Sequence, residues 1–430
     1  MPETGKGCGG EVNKHIVRVS EGVIRAGLFL LVSLVPIAIW WGTTTIIIVK
    51  LAITQLLVSV MLLAWLVKVV EEGKLNLAKT PLNIPLLLFL VLGFISFMRS
   101  DYPHTSIREL AKLTTYIAIY FLVVNSLKSS RQVKHLLATL FLVATLISIY
   151  GILQRFGIDF LPRRKVLLLH ERVISTLGHH NFMAAYLVLI IPLALGALLG
   201  ARKRYERIIL GVSIVLMFIA LRYSYSRSGW VGFLAAILVV GMLLVIKFKI
   251  GKKKALLILI SLLILSTPLV IAKLPKLQRE LTTIRGVPIK ARLLIYQGTL
   301  SMIKERPLLG SGIGNFSIFY PEYRRPEQTI IQPPQEIMVK HAHNEFLEMG
   351  AEMGLIGMAL FLWIVVAFFK RGFSYFKSMS DTIILGCLAG LAGILVTNLI
   401  SVNLRFVSSA VLFWFILGLT MALGERERER

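Results

Sequence analysis

Aspartate is almost missing from this chain: among 430 residues there are only Asp101, Asp159 and Asp381, no two of them close in sequence. That scarcity argues against a metal or phosphoryl-transfer centre built on aspartates, because such centres gather several hard oxygen ligands. Cysteine is equally scarce. Cys8 and Cys387 stand far apart, which excludes a disulfide framework and a zinc ribbon. Charged residues make up 16% of the chain against 56% hydrophobic, whereas soluble domains carry about one quarter charged residues. A water-exposed surface of ordinary size is therefore excluded.

What is present is apolar sequence in long runs. Twelve membrane helices of about 20 residues would use about 240 residues, close to the hydrophobic total. One run begins near Val23, and others follow at 44–70, 82–98, 110–127, 135–154, 182–200, 207–223, 229–247, 254–272, 353–369, 382–402 and 406–423. Lipid leaves the polar edges of an open sheet unpaired, so these runs are helices. The first follows a polar lead without a small-residue cleavage site and reads as a retained span rather than a signal peptide. No internal repeat or low-complexity linker divides the chain. Residues 1–430 are expected to form a single polytopic membrane domain, with a large connection at 273–352.

The basic excess gives the orientation. The 48 Lys and Arg against 22 Asp and Glu leave a net charge of +26, which suits anionic lipid head groups. Basic residues fill every second short connection: Lys68, Lys74 and Lys79, then Lys128, Arg131 and Lys134, then Arg202, Lys203 and Arg204, with Lys249, Lys252 and Lys253, and Lys370, Arg371 and Lys377 further on. Such connections stay in the cytoplasm, which puts both termini there and leaves 155–181 and 273–352 outside. Within the latter, 291–305 has roughly helical spacing and is predicted to lie along the membrane surface.

The strongest local pattern is HAHNEFLEMGAEMGLIG at 341–357. On a helix, His343, Leu347, Gly350, Gly354 and Gly357 share one face, and the last two glycines form a seam for a neighbouring helix. Glu345, Glu348 and Glu352 form a polar stripe tolerable only above the hydrocarbon. A helix entering the core near Met353 puts His343 roughly 15 Å higher, at head-group level. The same residues also allow a capping segment with a surface histidine. A metal site of His341, His343 and Glu345 lacks an obvious further ligand, so no metal is expected.

His343-Asn344 followed by nine residues, Gly354, two residues and Gly357 resembles the outer-loop signature of the O-antigen ligase/polymerase superfamily (lipid A-core: O-antigen ligase-like). STLGHHNFMAAYLVLIIPLALG at 175–196, YSRSGWVGFLAA at 225–236 and ARLLIYQGTLSMIKERPLLGSGIGNFSIFYPEY at 291–323 resemble it too, in the family's order. Together the motifs cover roughly 175–365; the first third of the chain matches only as hydrophobic pattern. The resemblance implies an all-α integral membrane protein of about 12 transmembrane helices, C-type glycosyltransferase-like, with a large periplasmic loop between helices 9 and 10. It implies transfer of a glycan from undecaprenyl diphosphate to a hydroxyl of lipid A-core oligosaccharide, on the periplasmic face of the bacterial inner membrane. Donor, acceptor and membrane lipids are then the partners, with no cofactor and no nucleic acid.

The family's histidine falls on His343 and its two functional arginines on Arg227 and Arg292. A departing lipid diphosphate needs fixed cations, and guanidinium binds phosphate oxygens bidentately without losing its charge. An imidazole can orient an acceptor hydroxyl and take its proton; attack opposite the diphosphate inverts the anomeric centre. The plainer readings make Arg227 an interfacial anchor beside Trp230 and Arg292 a positive residue on a surface helix. His179, His180 and Asn181 suit a helix cap, by Asn or by the histidines, or a sugar contact, and Asn344 a secondary contact beside His343. Gly310–Asn315 reads as a tight loop shaping the outer pocket, since its spacing is not that of a dinucleotide fingerprint. Two competing functions are a polysaccharide polymerase or protein O-oligosaccharyltransferase of the same superfamily, and a lipid-linked-sugar flippase. Lys50, a mid-span charge without an acidic partner in its own helix, bears on the flippase.

Overall fold

The computed structural model describes residues 13–39, 46–160, 172–249, 251, 287–331, 338–379 and 381–428. Every regular element among them is helical. The long helices are α1 (Lys14–Ile37), α2 (Ile46–Glu72), α3 (Asn83–Met98), α4 (Pro103–Ser126), α5 (Ser130–Arg155), α6 (His180–Gly200), α7 (Arg204–Ser224), α8 (Arg227–Lys247), α9 (Val287–Glu305), α10 (Glu345–Met379), α11 (Thr382–Thr397) and α12 (Val407–Arg428). Eight helices among the described residues are long and apolar enough to cross a membrane, and α3 and α11 are shorter apolar helices. This build fits a multi-pass membrane protein. Each apolar run coincides with a helix except 254–272, which lies outside the described residues, as do Pro333 and Pro334.

The site is positioned by close packing of α11 between α6 and α8. A Cβ on Gly386 would come within 2.6 Å of the Pro192 carbonyl oxygen, and one on Gly232 within 1.9 Å of Thr397 Oγ1. Without side chains at those points the backbones approach directly, the usual device where lipid removes the hydrophobic drive between helices. One end of this trio carries the starts of α6 and α8 together with the α11–α12 connection. At the other end of the bundle lie ion pairs among the basic connections, such as Lys68–Glu21 at 2.6 Å and Arg371–Glu425 at 3.0 Å.

Lys50 has a structural explanation. Its Nζ donates to the Val35 and Pro36 carbonyl oxygens at 2.8 and 2.7 Å, satisfying the otherwise orphaned carbonyls at the end of α1. No acidic partner is needed, and the charge offers nothing to a transport reading.

The helix expected to run unbroken through Gly354 and Gly357 is interrupted. Gly354 sits at φ 69°, ψ −175°, a conformation open essentially to glycine alone. The break frees the Leu355 and Ile356 N–H groups and the Ala351 and Glu352 carbonyls, which a continuous helix would pair with one another. The 307–312 loop takes over all four: Leu355 N donates to Pro307 O at 2.7 Å and Ile356 N to Leu308 O at 3.4 Å, while Ser311 N and Gly312 N donate to Ala351 O and Glu352 O, both at 2.9 Å. Gly354 therefore receives a loop, while Gly357 faces Leu92 of α3. Gly310-Ser311-Gly312 is the part that splices in, and Gly310 (φ 67°) and Gly312 (φ 103°) supply its left-handed turns.

Gly354→Ala tests the splice. A Cβ there would stand 2.1 Å from the Leu308 carbonyl oxygen, and the left-handed φ adds strain of about 1–3 kcal/mol. Thermal unfolding of the detergent-solubilised variant is expected to fall sharply, whereas an unchanged midpoint would mean that the break does not need glycine.

Candidate functional site

At the end of α8, Ser226 is the N-cap: its Oγ accepts from Gly229 N at 3.2 Å and donates to Asn181 Oδ1 at 2.7 Å. This bond ties the start of α8 to the start of α6. Arg227, the first residue of α8, is exposed at that junction. The α6 cap is His179, whose Nδ1 accepts from Asn181 N at 3.2 Å, and His180 Nε2 lies 3.0 Å from Arg172 Nη1. The capping reading of this segment thus holds, with His179 rather than Asn181 as the capping side chain.

On α9, Arg292 is half-buried and donates to the Ile400 carbonyl at 3.3 Å. One turn along, the Tyr296 hydroxyl lies 3.2 Å from the His343 carbonyl oxygen and 3.3 Å from that of Leu399. These contacts fasten α9 to both the α11–α12 connection and the segment before α10. Arg292 is therefore not simply a charge on a surface helix.

His343 is not part of the helix. Asn344 is the cap of α10, its Oδ1 accepting from Phe346 N at 3.0 Å and Leu347 N at 3.1 Å, so helical projection does not apply to residues before it. His343 itself adopts φ 55°, uncommon for a side-chain-bearing residue and costly enough to require support from its surroundings.

Charge couples the three residues. Burial pulls Arg292 below its ordinary pKa, and the Arg227 charge lowers it further. Burial, then the charges of Arg292 and His341, depress His343 to about 4. At neutral pH its imidazole is uncharged. Arg292 is thus within electrostatic reach of both Arg227 and His343, and the fold brings the three together at one end of the bundle.

Beside them lies a cluster that the linear pattern did not reveal. Glu345, Glu348 and Glu352 are buried inside the protein. Their counter-ion is Arg405, from the α11–α12 connection: its Nε lies 3.2 Å from Glu345 and 3.6 Å from Glu348, and its Nη2 2.8 Å from Glu352. Glu348 also accepts from Ala342 N at 2.7 Å and pairs with His341 Nδ1 at 2.8 Å. Burying three carboxylates demands such partners. A glutamate stripe at the mouth of a membrane helix was itself the signal, and an arginine in an outer connection was the answer to seek.

An aromatic wall closes this side. Phe406 lies against Phe182 with ring centroids 3.5 Å apart, and edge-on to His341 at 6.0 Å; Phe182 in turn meets His179 at 4.8 Å. Two guanidinium groups, a neutral imidazole and an aromatic face can together hold an oxyanion and a hydroxyl-bearing ring. Among the described residues, no group of three or more His, Cys, Asp or Glu side chains could hold a metal ion.

Comparison with known proteins agrees with this chemistry. No curated protein matches the chain significantly. The O-antigen ligase family model matches residues 212–362, a stretch that includes Arg227, Arg292 and His343 but not the 175–196 segment with His180 and Asn181. Residues 212–362 of this chain are thus similar to the O-antigen ligase family.

Proposed function

We propose that the protein is a glycosyltransferase that moves a glycan from undecaprenyl diphosphate to a hydroxyl of lipid A-core oligosaccharide on the periplasmic face of the inner membrane. Members of the family are glycosyltransferase-type enzymes. The observation that carries the reading is the electrostatic contact of Arg292 with both Arg227 and His343. In this reading Arg227 and Arg292 grip the diphosphate, whose charge grows as the sugar–phosphate bond breaks. His343 faces the acceptor hydroxyl. Asn344 holds His343 by capping α10, Asn181 holds Arg227 through Ser226, and His180 offers a sugar contact. The lipid tail stays in the bilayer, and displacement from the face opposite the diphosphate inverts the anomeric centre.

Purified protein supplied with lipid-diphosphate-linked glycan and core acceptor tests this. Core-linked product with release of the lipid diphosphate is the expected result; elongation of carrier-linked chains alone would instead point to a polymerase. His343→Ala should lower transfer by about 10²–10⁴-fold while the protein still folds, and near-normal turnover would remove His343 from the reaction. Activity should survive excess chelator. Complete loss restored by magnesium or manganese would overturn metal independence.

A further inference from the structure

Resting on that functional reading, we propose that the proton acceptor for the incoming hydroxyl is His341, oriented by Glu348, and that His343 serves to orient the acceptor. The argument begins with geometry. His341 Nδ1 lies 2.8 Å from Glu348 Oε1, so the ionised carboxylate holds the proton on Nδ1 and leaves Nε2 free to accept another. Glu348 is itself locked, with 1% of its side chain exposed, by Ala342 N at 2.7 Å and by Arg405 Nε at 3.6 Å. The His341 side chain is 33% exposed, and its ring meets Phe406 on the aromatic wall. A rigid carboxylate behind an imidazole with an accessible second nitrogen is the arrangement that acid–base catalysis uses.

Among the described residues no carboxylate hydrogen-bonds His343, and after burial the charge acting on it most strongly is the cation Arg292, with Glu348 opposing it more weakly. The groups facing His341 are Glu348 and Glu352 from α10, Arg405 from the α11–α12 connection and His343 from its own segment. Burial alone would depress His341, but the hydrogen bond and charge of Glu348 outweigh it and leave the pKa raised above its ordinary value of 6.5. A base whose pKa is raised holds a proton far better than one depressed to about 4, and of the two imidazoles it is His341 that is raised.

The step balances within the site. The acceptor O–H bond breaks and its oxygen bonds to the anomeric carbon. The bond from that carbon to the diphosphate oxygen breaks, its electron pair leaving with the lipid diphosphate. The proton goes to His341 Nε2, and the resulting imidazolium, stabilised by Glu348, releases it to water or to the departing diphosphate. Glu348 is a positioning residue, and its removal should therefore move the titration as well as lower the rate.

Initial rates of glycan transfer across pH 3–9, measured on the full-length protein and on H341Q, H343Q and E348Q with donor concentration varied, would decide the matter. The wild type should gain activity as pH rises, with an apparent pKa above 6.5. H341Q should lose roughly 10²–10⁴-fold in kcat with KM for the donor little changed, and its acid limb should vanish. In E348Q, where the amide still accepts from Nδ1–H without the negative charge, the limb should move to lower pH. A competent wild type whose H341Q variant keeps both kcat and acid limb sinks the assignment alone. So does a limb near pH 4 that disappears only in H343Q. A wild type that binds the donor but transfers nothing sinks the functional reading, and the His341 assignment with it.

Discussion

Arg405→Met is expected to cost about 3–5 kcal/mol of stability, the usual penalty for removing one partner from a buried ion pair. The guanidinium is the counter-ion of Glu345, Glu348 and Glu352 together. Without it three carboxylates remain buried, and Glu345 Oε2 already has no hydrogen-bond partner. Only His341 would then oppose them. Because all three glutamates occupy the first turns of α10, the helix that presents His343 and Asn344 should loosen with them. Thermal unfolding in detergent reads the effect, as would failure of the variant to accumulate in membranes. Arg405→Lys should recover only part of the loss, since a point charge on a flexible stem cannot meet three carboxylates as a planar fork can. Equal stability of Arg405→Met and the wild type would show that the cluster is not held by this residue.

Arg292→Gln should lower glycan transfer by about 10²–10³-fold, the scale of removing one fixed donor from a developing oxyanion, and should weaken donor binding. A second consequence separates loss of charge from general damage. Arg292 is the first-ranked charge depressing His343, after burial, so its removal should raise the His343 titration from about 4 towards the ordinary histidine range. Burial persists, and the return should be incomplete. Site-resolved histidine titration checks that shift directly, without any need for turnover. Arg227→Gln should impair donor use similarly while leaving His343 closer to its present value, because the charges acting on that histidine are those of Arg292, His341 and Glu348. Persistence of donor binding and turnover in both variants would end the diphosphate assignment.

Much of this protein was readable in one dimension. Apolar runs longer than a bilayer core can hold only helices, so the positions of α1 to α8 and α10 to α12 followed from composition alone. The candidate triad of His343, Arg227 and Arg292 was what the family resemblance of the surrounding motifs implied. Most helices, however, begin earlier or run on further than their apolar stretches, and α11 stops five residues short of its own, because capping and packing set the ends and hydrophobicity does not.

Other features depend on groups far apart in the chain. The break at Gly354 is stable only because the 307–312 loop supplies the four missing backbone partners, an exchange that no helical projection of 341–357 could contain. The glutamate stripe looked like a solvated face until Arg405, more than fifty residues on, came to lie among the three carboxylates. Lys50 looked like an unpaired intramembrane charge until the end of α1 presented two carbonyls to it. Local pattern thus determined which segments form long apolar helices. Tertiary structure decided which charges are neutralised, where the long helix breaks and which histidine has a carboxylate behind it, because burial makes an unpaired polar group too costly to leave without a partner from elsewhere in the chain.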